Sequence, residues 1–402
     1  VPAALHIKDA QDGQAKWAAV FSMSLCVAML IASEFMPVSL LTPMAASLDA
    51  TSEQTGQTIS ISGLFAIATS LLIATAAGRM DRKAVLVALT AVMLASLVIV
   101  AVAPSLEVML GRALLGVAVG GFWSLAASII MRLVPETSVP RALSMMYGGQ
   151  AIAAAFAAPL GSYLGDLVGW RRIFWALSPL VAVNLFWHLV TLPSLPARQP
   201  QSLRSFQVLL ARPQFRTDLI AITFTWGSAF TMFTYLLPFL ETLSGVDVET
   251  LSLLLLTLGA AGFVGSFLSG RIGTDKIERI LALPAIVMGA STALLLLTES
   301  SLVAISLLLA IWGAMNTAMS VIWMSWMSQV VDDMPETAGA LMVATMQASI
   351  LLGGVFGGLL LDWFSIDSSF LGSVLLALAA VAVIGRGSRL RASPEPLQER
   401  TS

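Results

Sequence analysis

Apolar stretches of roughly twenty residues alternate with short polar segments along nearly the whole of this chain. Twelve can be marked: 17–43, 55–78, 84–103, 106–133, 142–165, 170–192, 219–240, 251–270, 281–297, 302–331, 338–361 and 370–385. A helix needs about 20 apolar residues to cross roughly 30 Å of hydrocarbon, whereas a barrel strand needs about ten of alternating polarity. The pattern therefore predicts an all-α integral membrane protein with twelve transmembrane helices. Proline falls inside several stretches, at Pro37, Pro159, Pro179, Pro238 and Pro284, where it removes a backbone donor and permits a kink.

Composition agrees with this reading. The chain is 57% hydrophobic and 11% charged, with mean hydropathy +0.89, against about 25% charge in a soluble domain. The net charge of −2 and the scatter of basic residues over short loops argue against nucleic acid as a partner. The single cysteine, Cys26, excludes an intrachain disulfide and reads as a small core residue. Residues 1–16 are polar and lack the basic-then-apolar order of a signal peptide, so the first span is expected to be retained.

Lys and Arg gather on one side of the predicted bilayer: Arg79, Arg82 and Lys83; Arg132 and Arg141; Arg204, Arg212 and Arg216; Arg271 and Arg279. The opposite loops hold mainly acids, including Asp49, Glu107, Asp166, Asp247 and Asp367, with Arg171 and Arg172 as the exceptions. The positive-inside rule then puts both termini in the cytoplasm. The expected layout is a cytoplasmic segment 1–16, six spans within 17–192, a cytoplasmic loop 193–217, six spans within 218–386 and a cytoplasmic tail 387–402.

The two halves repeat. Trp123 and Pro135-Glu136-Thr137 return as Trp323 and Pro335-Glu336-Thr337, Gly78-Arg79 as Gly270-Arg271, and Gln150 with Gly161 as Gln347 with Gly357. Parallel halves about an axis along the membrane normal, with a binding site between them at mid-depth, form a recurring transporter plan. Small residues spaced by four, at Gly116 and Gly120, Ala157, Gly161 and Gly165, and Gly353 and Gly357, allow close helix contact.

Within the first span stands one acid, Glu34, and no other charge. An ionisable group at that depth is a functional candidate by default. Arg112 enters the fourth span from the same side at a similar depth, about 10–13 Å in at 1.5 Å per residue. Two readings follow: a carboxyl that loads and unloads a proton under the influence of the guanidinium, or a static ion pair holding two helices together. Trp123, Gln150, Trp226, Tyr235, Asn316 and Gln347 offer aromatic faces and amides inside spans, as binding of a small polar-aromatic molecule requires. His188, beside Trp187, reads as an interfacial residue, and Asp218 as a charge at the start of the seventh span. No spacing of His, Cys or acids suggests a metal site.

Gly78-Arg79-Met80-Asp81-Arg82-Lys83, the Arg112 motif and the small-residue motif ending at Ala158-Pro159 resemble three signatures of the major facilitator superfamily, in its twelve-span proton-antiporting branch. Ser33-Glu34-Phe35-Met36-Pro37 and Gly121-Phe122-Trp123-Ser124 are similar to the purine ribonucleoside exporters of that branch. The loop signature lacks its second glycine, and Ala158 stands where glycine is usual. The resemblance implies two pseudo-symmetric six-helix halves and proton coupling through Glu34 and Arg112. It also implies gating by Gly78, Asp81, Arg82, Pro159 and Gly161, with Asp81 meeting the amino end of a neighbouring helix when the cytoplasmic side is closed.

The expected function is proton-coupled export of small organic molecules, purine ribonucleosides first, by a monomer in the bacterial inner membrane. The partners are then protons, a small-molecule substrate and the lipid bilayer. No cofactor is expected, because the proton gradient is the energy source and no phosphate-binding loop occurs. Multidrug or sugar export are rival cargoes; an intramembrane enzyme or a non-transporting sensor are rivals of another class.

Overall fold

The computed structural model describes residues 15–48, 52–105, 107–197, 203–242, 247–273, 276–298 and 301–385. The first half consists of α1 (Trp17–Ser39), α2 (Leu41–Ser47), α3 (Ser52–Ala76), α4 (Arg82–Val102), α5 (Val108–Leu133), α6 (Val139–Val168) and α7 (Trp170–Thr191). After a short α8 (Leu203–Leu210) come α9 (Pro213–Phe233), α10 (Leu236–Thr242), α11 (Val248–Ser269), α12 (Ile277–Ile280) and α13 (Leu283–Leu295). The chain ends in α14 (Leu302–Val330), α15 (Pro335–Trp363) and α16 (Ile366–Ile384). Joining α1 to α2, α9 to α10 and α12 to α13 yields twelve spans. Ten stretches among the described residues are long and apolar enough to cross a membrane.

The boundaries have local causes. Asp81, Asp247, Ser301 and Ser365 accept backbone N–H groups at the starts of α4, α11, α14 and α16. Gly169 (φ 83°) divides α6 from α7 in the left-handed region that glycine adopts without strain. Among the prolines, Pro37 lies in the last turns of α1, Pro179 within an unbroken α7, Pro238 in the first turn of α10 and Pro284 at the start of α13. Pro159 lies within α6, and its side chain is outside the described residues.

The packing repeats with the sequence. In the first half α3 packs on α5, α1 on α6 and α7, and α4 on α5 and α7. In the second, α11 packs on α14, α9 on α15 and α16, and α13 on α14 and α16. A Cβ on Gly120 would stand 2.2 Å from the Ala66 carbonyl oxygen, and one on Gly313 2.2 Å from that of Leu258, so glycine sets the approach of α5 to α3 and of α14 to α11. The halves meet where α6 crosses α11 and where α15 crosses α3 and α5.

The segment 193–217, expected as a loop, contains α8 and the first turn of α9. Asp218 is therefore not at a helix start. It lies inside α9 and is fully buried. His188 is not interfacial either: it is fully buried, its Nδ1 3.1 Å from the Thr90 hydroxyl, which itself donates to the Leu86 carbonyl. Val181, Asn184 and His188 share the inner face of α7, a spacing that overrides the hint given by Trp187. Cys26 is buried beside Thr90, as a core residue should be. Arg171, an exception to the charge pattern, lies 4.3 Å over the Trp170 ring and donates to the carbonyl of Ala103 at the carboxyl end of α4.

Candidate substrate cavity and gate

A cavity of about 520 Å³ lies between the halves, and all six side chains expected to bind a small molecule line it. Trp123 comes from α5, Gln150 from α6, Trp226 from α9, Tyr235 from the break before α10, Asn316 from α14 and Gln347 from α15. Glu34 joins them from α1. Apolar surface from Ile31, Val119, Met319, Met324 and Met346 fills the intervals, the usual balance of a small-molecule site. Tyr147 and Ser320 also line it and were not anticipated, although Tyr147 stands three residues before Gln150 and Ser320 four after Asn316, on the same helix faces.

Aromatic geometry shapes one wall. Trp123 stacks on Tyr147 with ring centres 5.0 Å apart and planes 23° from parallel, while Phe122 stands edge-on to Trp123 at 5.9 Å. The Tyr235 hydroxyl donates to the Gly354 carbonyl at 2.9 Å, so this residue offers the cavity its ring.

Glu34 and Arg112 meet through the backbone. Pro37 has no N–H to give the carbonyl of Ser33, four residues earlier. Arg112 takes that place: Nη1 donates to Ser33 O at 2.8 Å, and Nη2 reaches Glu34 O at 3.4 Å and Ser62 Oγ at 3.3 Å. The guanidinium is buried between α1, α3 and α5, whereas Glu34 is half-buried on the cavity wall. The arginine thus fixes the turn that carries the acid.

The cavity is closed at one end. Its lining runs from mid-depth toward the acidic loops, where Thr234, Leu351 and Val355 are exposed; Trp226, Met324 and Val343, farther in, are buried. Toward the basic loops the halves touch. Ser266 Oγ donates to Ser144 O at 2.7 Å, and a Cβ on Gly339 would lie 2.5 Å from Ser124 O. Arg82, fully buried, gives Glu336 a two-pronged bond, Nε to Oε1 at 2.8 Å and Nη2 to Oε2 at 2.5 Å, and holds Met80 O with Nη1 at 2.9 Å. This joins the start of α4 to the start of α15, one half to the other.

One expectation changes here. Asp81 caps its own helix rather than a neighbouring one, accepting from Lys83 N–H at 2.8 Å, from Leu195 N–H at 2.9 Å and from the Ser194 hydroxyl. Desolvation raises its carboxyl, but these bonds and the Arg132 charge outweigh it and hold the group below the usual Asp range. The contact between halves belongs to Glu336, which the sequence had shown only as part of a repeat. Gly78 (φ 44°) makes the turn that brings Arg82 into place. Gly161 is buried in α6, away from this contact.

A family model, the Major Facilitator Superfamily, matches residues 23–342. The chain belongs to this superfamily. It is 43% identical over 369 residues to the transcription regulatory protein OpdE of Pseudomonas aeruginosa, covering 90% of this chain and 92% of that one. It is 38% identical over 372 residues to the purine ribonucleoside efflux pump NepI of Escherichia coli, covering 92% and 94%. Among solved structures it shares the fold of the human organic anion transporter MFSD10 (TETRAN), with a TM-score of 0.75 at 14% identity over 92% of this chain and 99% of that one. Membership of the superfamily and the relation to an efflux pump point to a multi-pass membrane transporter rather than an enzyme.

Proposed function

We propose that the protein is a proton-coupled exporter of small organic molecules, with purine ribonucleosides or their analogues as cargo. The observation that carries this reading is the cavity in which Glu34 faces aromatic and amide side chains drawn from both halves. Trp123, stacked on Tyr147, and Trp226 offer faces to a purine base, and Gln150, Asn316 and Gln347 offer donors and acceptors to its edge and ribose. The identity with NepI over most of both chains supports the same cargo class. Cargo and proton use the carboxyl side of the cavity in turn: proton uptake from the acidic end favours release of cargo there, and proton loss at the basic end readies the site for the next molecule.

In this scheme Arg82–Glu336 is the latch of the basic end, which must part for cargo to enter, and Asp81 steadies the loop that carries it. One elementary charge moved across 100 mV contributes about 2.3 kcal/mol, and 1.4 kcal/mol is a tenfold ratio, so one proton sustains roughly a 50-fold gradient of neutral cargo. No cofactor is needed for that. We place the protein in the bacterial inner membrane as a monomer with both termini cytoplasmic, the orientation in which the basic loops lie inside.

A non-transporting sensor is the second reading, favoured by the name of the Pseudomonas relative. Proteoliposomes loaded with radiolabelled adenosine or inosine separate the two under an imposed pH gradient. Uphill movement abolished by Glu34→Gln supports the exporter. Transport confined to lipophilic cations or sugars moves the cargo to the rival classes. Absence of flux for every solute leaves the sensor.

A further inference from the structure

The first span is not the only one to carry a carboxyl among its apolar residues. Asp218 has no exposed surface, and its Oδ1 accepts one hydrogen bond, from Trp326 Nε1 at 3.2 Å. Its Oδ2 has no partner among the described residues. An ionised carboxylate in that setting lacks the cation or the several donors that would compensate for lost water. The charged groups of the surrounding elements do not make up the deficit. Arg204 on α8, Arg216 in the first turn of α9, Arg279 on α12 and Asp332 are exposed; Arg212 is bonded to Asp333, and Glu336 on α15 to Arg82. Glu278 on α12 is half-buried and forms none of the bonds of Asp218. Neither α13 nor α14 contains a titratable side chain; Asp362, Asp367 and Glu241, on α15, α16 and α10, lie at the acidic end of their helices.

The position of Asp218 matters as much as its solvation. The face of α14 that lines the cavity through Asn316, Met319 and Ser320 continues toward the basic end as Trp323 and Trp326, one and two turns below. Along the same stretch of α14, Trp323 Nε1, Ser325 Oγ and Gln329 Nε2 are also buried without a partner among the described residues. Such atoms are unusual in a settled interior, where buried polar groups are nearly always bonded. Trp323 Nε1, and Asp218 Oδ2 beside Trp326, suit a surface that meets water in another conformation, below the cavity on the side that the Arg82–Glu336 contact closes.

We propose that Asp218 is a second proton-binding site, occupied in the conformation seen here and emptied when the basic end opens. Opening admits water to the floor of the cavity; the Oδ2–H bond breaks, the proton passes to that water, and the carboxylate left behind is solvated by it and by Trp326 Nε1. The consequence for coupling rests on the exporter reading: with Glu34, two protons would return for each cargo molecule. The site itself does not rest on that reading.

Infrared difference spectroscopy of the full-length protein in lipid vesicles between neutral and alkaline pH tests it. Wild type should show the carbonyl band of a protonated buried carboxylic acid that Asp218→Asn removes and Glu34→Gln leaves. Trp326→Phe should shift that band by deleting its hydrogen bond, which keeps the test open should Asp218→Asn fold poorly. A spectrum unchanged by both Asp218→Asn and Trp326→Phe means that Asp218 neither takes up nor releases a proton between the two pH values and overturns the proposal. In vesicles that transport inosine, the steady cargo ratio should rise about a hundredfold per pH unit in wild type and about tenfold in Asp218→Asn. A tenfold slope in both proteins refutes the role in coupling. If wild type moves no nucleoside the exporter reading fails, while the band still decides the protonation site.

Discussion

Spans α1 and α9 hold equivalent places in the two halves, yet they treat their acids in opposite ways. Glu34 lies on the open wall of the cavity, and Arg112 braces the backbone of its turn. Asp218 lies beneath the closed floor with an indole as its bonded neighbour. The repeat therefore supplies a matched scaffold, and the chemistry placed on it is not matched. The same holds at the basic end: Glu336 joins the halves through Arg82, whereas Glu136, its counterpart, is exposed. A carrier that must open at alternate ends gains from such asymmetry, because the latch of one end need not copy that of the other.

The largest way to break the comparison is at the cavity acid. Glu34→Gln should reduce the cargo gradient to simple equilibration, measured as uphill inosine movement in vesicles, while counterflow exchange persists. Uphill pumping by this variant would show that coupling lies elsewhere.

Next comes the latch. Glu336→Gln leaves the Arg82 charge buried without its counter-ion and should destabilise the conformation closed at the basic end by about 3–5 kcal/mol. Glu136→Gln should change it by less than about 0.5 kcal/mol. Alkylation of a cysteine placed at Val343, inside the cavity, reports opening from the basic side. Equal rates in the two variants would mean that the buried pair does not hold the halves together.

The brace on α1 gives a subtler result. Arg112→Ala strips the donor from Ser33 O, but in a Pro37→Ala background the helix can supply its own N–H. A double-mutant cycle read by thermal unfolding should show coupling of about 1–3 kcal/mol between the two sites, with Arg112→Ala the milder change when alanine stands at 37. Additive effects would mean that the arginine does not substitute for the missing donor.

The smallest effect is at Asp81. Asp81→Ala should cost roughly 0.5–2 kcal/mol through loss of the cap. Because the folded group lies below the ordinary Asp range, its contribution is complete above that range and is lost as pH falls through the folded pKa. Unfolding of wild type and variant should therefore differ by a constant amount between pH 6 and pH 8 and converge only in acid; a difference that changes across neutrality would contradict the assignment.

Much of this was legible in the chain. Length and apolarity marked the twelve spans, and the paired Trp123/Trp323 and Gln150/Gln347 revealed the repeat. The cavity side chains could be chosen because few polar or aromatic residues at mid-depth escape packing. Asp218 was misplaced because Gln214, Arg216 and Thr217 resemble a loop; Pro213 starts the helix among them, and apolarity alone does not register a polar first turn. Glu336 was overlooked for a different reason. Its partner is 254 residues away, and an exposed twin in the other half looks the same in sequence.

Pro37 and Arg112 have one more implication. An ordinary helical turn is held by its own chain and unwinds at random, but the turn bearing Glu34 is pinned by a side chain from α5. Were the guanidinium drawn a short way toward a newly ionised Glu34, the carbonyl of Ser33 would be released and the stretch leading into α2 would come loose at Leu40. A change in charge at one atom would thereby become a bend in a whole span.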